Sequence, residues 1–78
     1  MKITYDPRYN IAYILFRDKN EPMETLRLSD EVNIDLAPDG RIYGIELLNA
    51  NQQLAGGPEP SLIFVNEAEG RRQEIAIL

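Results

Sequence analysis

The chain has 78 residues, of which 44% are hydrophobic and 27% charged, and it carries a net charge of −5 with no cysteine and no histidine. This length supports one domain, and the hydrophobic content is too high for a disordered chain. The composition excludes disulfide bonds and thiolate metal ligands, and its acidic balance argues against nucleic-acid binding, which requires phosphate-neutralising Lys and Arg.

No membrane-directed segment is apparent in the sequence. Met1 and Lys2 lead directly into an alternating segment, without the apolar stretch of a secretory signal. The longest apolar run, residues 11–16, has six residues, against the roughly 20 that a membrane-spanning helix needs. We therefore predict a cytoplasmic protein that binds no membrane.

Two strands are predicted in the first part of the chain. Residues 2–6 alternate, and Asp6-Pro7 ends them because proline has no amide hydrogen to donate. Residues 11–16 are rich in β-branched and aromatic side chains, which is typical of a strand. Because this strand is apolar on both sides, we expect a helix, a hairpin or another subunit to cover its second face.

A β-hairpin is predicted in the middle of the chain. Residues 32–36 and 42–48 form its strands, and Pro38-Asp39-Gly40 predicts a three-residue loop with a bulge at a left-handed glycine. Gly44 indicates a further bulge or a close side-chain approach. Residues 23–28 are short and charged, which predicts an edge strand.

A helical segment of one or two turns is predicted over residues 49–54. Asn49 is suited to the N-cap position, and Gly56 to the position that follows the helix. Residues 61–65 and 72–78 then predict a C-terminal hairpin, which adds to the sheet edge or covers its open face. Whether it packs within its own chain or across a dimer is left open.

These segments predict an all-β or β-rich α+β fold, an antiparallel meander of about seven short strands with one short helical segment. We expect a single domain over residues 1–78, with a core meander at 1–54, a linker at 55–60 and the C-terminal hairpin at 61–78. Two strands that are apolar on both faces favour a homodimer.

Two blocks of residues resemble the domain-of-unknown-function 2283 family of small bacterial and archaeal proteins, over residues 3–54. The blocks are Tyr5-Asp6-Pro7 with Ala12-Tyr13-Ile14 and Phe16, and Val32, Asp35, Asp39-Gly40-Arg41-Ile42, Gly44-Ile45-Glu46-Leu47-Leu48 and Ala50. The resemblance implies a compact β meander with a short helix after its last strand, and no assigned activity or catalytic residues. It also implies an association with small partners of toxin-like proteins. Asn10 departs from the acid that the family usually carries.

Four residues are candidate interaction residues: Asp35, Glu46, Tyr43 and Phe64. Asp35 and Glu46 flank the predicted hairpin turn and are expected on one face, either as solvated positions or as a functional carboxylate pair. A structural role for Glu46 is a salt bridge or a hydrogen bond to a neighbouring strand, with Arg41 and Arg17 as candidate partners. We predict no catalytic residue, no metal site and no cofactor.

The leading functional hypothesis is a non-enzymatic protein-interaction module, with an antitoxin-like partner as its narrower form. It depends on the acidic charge, on the lack of the usual catalytic side chains, and on strand edges suited to strand addition. Two alternatives stay open. One is a small-molecule or metal-binding domain that uses strand carboxylates, and the other is a purely structural oligomer subunit.

Overall fold

The computed structural model describes residues 1–18 and 20–78, and in this part of the chain it contains seven strands and one short helix. Their bounds are β1 Lys2–Asp6, β2 Ile11–Leu15, β3 Glu24–Ser29, β4 Val32–Leu36, β5 Ile42–Leu48, α1 Ala50–Leu54, β6 Ser61–Asn66 and β7 Arg71–Ala76. The predicted fold class is confirmed. None of the described helical residues forms a helix of the length and apolar character that a membrane crossing requires.

Five strands form one antiparallel sheet in the order β1-β2-β5-β4-β3. The order departs from a simple meander at one place, because β3 lies at the far edge and β5 pairs with β2. The long, mostly apolar β5 occupies the centre, where both of its edges are hydrogen-bonded. The charged β3 takes an edge, as predicted, where its charges discourage pairing with other chains.

The strand register separates the sheet into two chemically different faces. What we call the apolar face consists of two rows of uncharged residues, each running from strand to strand. The rows are Ile3, Ile14, Ile45, Ile34 and Leu26, and Tyr5, Ala12, Leu47 and Val32. What we call the polar face consists of the rows Thr4, Tyr13, Glu46, Asn33 and Arg27, and Lys2, Leu15, Gly44, Asp35 and Thr25.

The hairpin turn between β4 and β5 has the predicted geometry. Gly40 adopts a left-handed φ of 86°, and its amide donates to the carbonyl oxygen of Ala37 at 3.0 Å. The Ala37 amide donates to the Arg41 carbonyl at 2.8 Å. Beyond the turn, the register shifts beside Tyr43, so the bulge predicted near Gly44 is confirmed.

The helix has its N-cap at Asn49, and Gly56 follows its C-cap residue, as predicted, but neither residue caps the helix by the expected mechanism. Asn49 occupies the N-cap position in a left-handed conformation, with φ 53°, but its side chain makes no capping hydrogen bond. Asn10 acts instead, because its carbonyl accepts from the Ala50 amide at 3.0 Å and its Oδ1 accepts from the Asn51 amide at 2.8 Å. The helix ends through an extended Ala55, and Gly56, which follows it, does not adopt a positive φ.

The C-terminal strands β6 and β7 form a separate two-stranded sheet. They make no strand pairing with the five-stranded sheet, so of the two expected arrangements the addition of this hairpin to the sheet edge is wrong. Its apolar side instead approaches β1 and α1 around a cavity of about 420 Å³. Residues lining this cavity include Ile3, Tyr5, Leu54, Leu62, Ile75 and Ile77.

The buried interior is small and contains almost no aliphatic bulk. The buried apolar residues of the described chain are three alanines and one tyrosine, namely Ala12, Ala37, Ala50 and Tyr43. Every described Ile, Leu, Val and Phe stays at least partly exposed. The radius of gyration, 14.1 Å, exceeds the roughly 11.5 Å typical of a compact domain of this length.

Candidate functional site

Asp35 is the buried acid at the centre of the polar face. It lies on β4 opposite Gly44, and only 8% of its surface is exposed. The Tyr13 hydroxyl donates to its Oδ2 at 2.5 Å, and the Thr25 hydroxyl donates to its Oδ1 at 2.7 Å. These hydrogen bonds compensate in part for the hydration that the carboxylate loses on burial. Asp35 is therefore not the solvated position that the sequence suggested.

Tyr13 reaches Asp35 because Gly44 leaves room for its ring. A Cβ at Gly44 would lie 2.5 Å from Tyr13 Cζ and 2.6 Å from Cε1, which is too close for real atoms. The ring therefore lies across β5 and delivers its hydroxyl to the next strand. The close approach predicted at Gly44 is confirmed, and the apolar second side of β2 is explained in part by this packing.

Glu46 lies on the polar face with Asp35, as expected from the hairpin. It accepts a hydrogen bond from Asn33 Nδ2 at 2.9 Å, across the β4–β5 pairing. The predicted hydrogen bond of Glu46 to a neighbouring strand is confirmed, whereas Arg41 and Arg17 are the wrong partners. Both guanidinium groups instead approach Asp39, Arg17 at 3.3 Å and Arg41 at 3.7 Å.

A shallow depression of about 390 Å³ connects these groups. It is lined by Tyr13, Met23, Thr25, Asn33, Asp35 and Glu46. The depression offers carboxylate acceptors beside hydroxyl and amide groups, which is suited to a small ligand rich in hydrogen-bond donors. Among the described residues, no group of three or more His, Cys, Asp or Glu side chains is placed to hold a metal ion.

Asp39 has a structural role in the turn. Its Oδ1 accepts from the Arg41 amide at 2.9 Å, which closes the turn locally. This backbone hydrogen bond, together with the nearby Arg17 and Arg41 guanidinium groups, holds the pKa of Asp39 below its ordinary value of 3.8. The side chain is 56% exposed, so its charge stays in contact with water.

The other two candidates lie apart from the polar cluster. Tyr43 is only 2% exposed, and the Arg17 guanidinium lies 5.2 Å from its ring centroid, so it belongs to the interior. Phe64 is 64% exposed on β6. The structure therefore brings Asp35 and Glu46 together, and it separates both from Tyr43 and Phe64.

The sequence interpretation missed Tyr13 and Thr25 as members of the Asp35 cluster. The only signal for Tyr13 is the mid-strand Gly44, since a glycine there makes room for a large ring from a neighbouring strand. Thr25 carried no signal, because its contact with Asp35 depends on which strands become neighbours.

A comparison with known families finds a match over the five-stranded sheet. The family described as "Protein of unknown function (DUF2283)" matches residues 2–51, more than half of the chain. No curated protein and no solved structure matches the chain. The matched segment spans β1 to β5 and enters α1, so it includes both faces of the five-stranded sheet and ends before the C-terminal hairpin. On the strength of this match, the chain belongs to the DUF2283 family.

Proposed function

We propose that this protein is a protein-interaction module without catalytic activity, and that the apolar face of its sheet is the binding surface. One observation carries the proposal. All five strands contribute an aliphatic side chain to a continuous row from Ile3 to Leu26. Leu26 is 40% exposed, and the four isoleucines of the row are only half-buried by the described part of the chain. A sheet with such a face normally packs against a second layer.

A partner is expected on energetic grounds, because the apolar face otherwise stays in contact with water. Burial of apolar surface contributes roughly 25 cal/mol per Å², and monomeric proteins rarely leave contiguous apolar patches larger than about 300–600 Å². A helix of five residues, Ala50–Leu54, covers the end of the face near β2, where Ala12 is completely buried, and the C-terminal hairpin approaches Ile3 and Tyr5 at the β1 edge. A protein partner would cover the remainder.

The side-chain inventory supports a binding role. The sequence has neither His nor Cys, the commonest general base and the commonest thiol nucleophile. The carboxylates of Asp35 and Glu46 already accept hydrogen bonds from neighbouring side chains. We expect the interaction to take place in the cytoplasm, and an antitoxin-like partner is its narrower form.

A capture experiment with matched variants tests the proposal. The tagged full-length chain is expressed in the cells that make it, as wild type, as Ile3→Lys and as Thr4→Lys. These neighbouring positions of β1 face opposite sides of the sheet, and both variants gain the same charge. We expect wild type and Thr4→Lys to retain the same partner chain and Ile3→Lys to lose it.

Circular dichroism first verifies that each variant keeps its β structure, and Leu26→Lys at the other end of the row repeats the test. An untagged second copy of this chain counts as a captured partner. The proposal fails if wild type captures no chain, or if the variants of the apolar face retain every chain that wild type captures. Capture of a toxin-like protein is the result that the antitoxin-like hypothesis requires.

A second candidate function is the binding of a small cationic molecule in the depression beside Asp35 and Glu46. The burial of Asp35 under two hydroxyl donors favours it. Thermal melting with guanidine, primary amines, Mg²⁺ and Ca²⁺ as separate additions tests this candidate. A bound ligand raises the midpoint of wild type, and Glu46→Gln reduces that rise. An unchanged midpoint with every addition would refute it.

A further inference from the structure

We infer that the occupant of the apolar face is the same face of a second copy of this chain, in a two-layered homodimer. The inference depends on the proposed function and names the partner for it. The exposed area of the chain, the distribution of its charge and the shape of the sheet each favour a copy over a different protein.

The exposed area matches what a permanent dimer needs. The chain exposes 6012 Å², whereas a compact monomer of 8.9 kDa exposes about 4,800 Å². The excess of about 1,200 Å² per chain corresponds to about 2,400 Å² for two chains, which lies in the range of obligate homodimers, about 2,000–5,000 Å². A transient contact of standard size would leave part of this excess uncovered.

The distribution of charge permits two acidic chains to meet. Each copy carries a net charge of −5, so self-association requires a contact surface without acids. The two rows of the apolar face contain no charged residue, while Asp35 and Glu46 lie on the opposite side of the sheet. Glu24, which pairs with Leu36 beyond the end of these rows, lies on the same side as Leu26. A basic partner would find no complementary charge on this face, whereas an identical uncharged face is complementary to it.

The shape of the molecule suits a stack of two sheets. Its principal extents are 35 × 34 × 19 Å, so the molecule is thin in one direction. Two sheets pack with their inner faces about 10 Å apart and share one core. A two-fold axis between the layers places the same surface on both sides of the contact, as in most homodimers.

The C-terminal hairpin extends the apolar face beyond β1. Leu62 and Ile75, paired across β6 and β7, line the cavity that also contains Ile3. Phe64 is 64% exposed and lies two residues further along β6 on the side of Leu62. A second copy facing the sheet would thus also cover the exposed side of the hairpin.

Sedimentation of the full wild-type chain gives the first test. Between 1 and 100 µM we expect a species of about 18 kDa, twice the 8.9 kDa of one chain. A folded 8.9 kDa species at 100 µM would overturn the inference. The proposed function would survive that result if the capture experiment finds a different protein that depends on Ile3, so the two failures are distinguishable.

Matched variants then locate the interface. Burial of an unpaired lysine in place of an apolar contact typically costs a factor of about 30 in affinity. A two-fold interface contains each change twice, so we expect Ile3→Lys and Leu26→Lys to raise the dimer dissociation constant about a thousandfold. Thr4→Lys lies on the opposite face and should leave it within about threefold. A dimer that Thr4→Lys disrupts, and that Ile3→Lys leaves intact, would overturn the inference.

A measurement on the wild-type chain locates the interface without depending on the folding of variants. Wild-type chains labelled with ¹³C are mixed with unlabelled chains, and isotope-filtered NOEs then report contacts between copies only. We expect intermolecular NOEs from the methyl groups of Ile14, Ile34 and Ile45. A dimer whose intermolecular NOEs arise from Thr4 or Thr25 instead would show that the wrong face was assigned.

Discussion

Asn10 shows how one side chain fixes a junction between distant segments. Its φ is 56°, in the left-handed region. Its side chain accepts from the Asn51 amide at 2.8 Å and donates to Asn49 Oδ1 at 3.2 Å, across 41 and 39 residues of sequence. The turn after β1 is thereby attached to the first turn of α1. Asparagine suits this position because it tolerates the left-handed conformation and both donates and accepts.

We expect Asn10→Ala to lower the free energy of unfolding by about 2 kcal/mol, from the lost cap and the left-handed strain. Asn10→Gly loses the same hydrogen bonds but adopts the positive φ freely, so its cost should be about 1 kcal/mol lower. Urea denaturation at one fixed chain concentration measures both. Equal costs for the two variants would show that backbone strain contributes nothing here.

Asp39 makes the stability of the folded chain depend on pH, in a direction that follows from its lowered pKa. Its pKa in the folded chain lies below the ordinary 3.8, first because of the Arg41 amide hydrogen bond and then because of the cationic side chains nearby. The folded state therefore binds this proton more weakly than the unfolded state. The stabilisation is complete above about pH 3.8 and disappears as the pH falls through the folded pKa.

Asp39→Asn keeps an acceptor for the turn but removes the charge. We expect its melting temperature to lie below that of wild type at pH 7, and the difference to shrink as the pH is lowered beneath the ordinary pKa of 3.8. Melting curves of both proteins across this interval test the prediction. A difference that grows on acidification would have the wrong sign.

At the scale of secondary-structure elements, the central contact is the packing of β2 across β5. Tyr13 and Gly44 lie on neighbouring strands, and the ring of the first fills the space left by the second. The same ring places its hydroxyl on Asp35 of β4. Three strands are thereby joined on the polar face by one side chain, which fixes their register as well as their order.

Gly44→Ala should displace the Tyr13 ring and break its hydrogen bond to Asp35, at a cost of about 2–3 kcal/mol of unfolding free energy. In a Tyr13→Ala background the new methyl group meets no ring, so the same change should cost less than about 1 kcal/mol. A double-mutant cycle by chemical denaturation measures the coupling. If the free-energy changes of the two substitutions simply add, the contact between the Tyr13 ring and residue 44 does not cause the destabilisation.

At the scale of the whole molecule, the chain lacks the core that its composition would allow. Its sequence is 44% hydrophobic, yet among the described residues the buried apolar set is limited to Ala12, Ala37, Tyr43 and Ala50. Small domains have little stability in reserve. The proposed homodimer resolves the contrast because the missing second layer is supplied by the partner.

This proposal predicts a melting temperature that depends on chain concentration. A hundredfold increase, from 2 to 200 µM, should stabilise a folded dimer by about 2.7 kcal/mol relative to separate unfolded chains. For a unit of this combined size, the midpoint should rise by about 5–10 °C. Scanning calorimetry at the two concentrations measures the shift. A midpoint that is independent of concentration would contradict a dimer coupled to folding.

Local sequence patterns determined most elements of this protein. Alternation, together with the β-branched and aromatic content of residues 11–16, located the strands within one or two residues. Turn chemistry located the left-handed Gly40, and the mid-strand Gly44 indicated a close approach. The same alternation placed Asp35 and Glu46 on one face, because both lie on arms of one hairpin.

Only the tertiary structure decided which strands are neighbours and what surrounds each functional group. The pairing of β2 with β5, the contact of Tyr13 with Asp35 across 22 residues, and the cap that Asn10 provides for α1 all join segments remote in sequence. The separation of the C-terminal hairpin from the five-stranded sheet was likewise apparent only in the tertiary structure. Local periodicity fixes the direction of a side chain but not its partner, because the partner depends on which strands pair after distant segments have met.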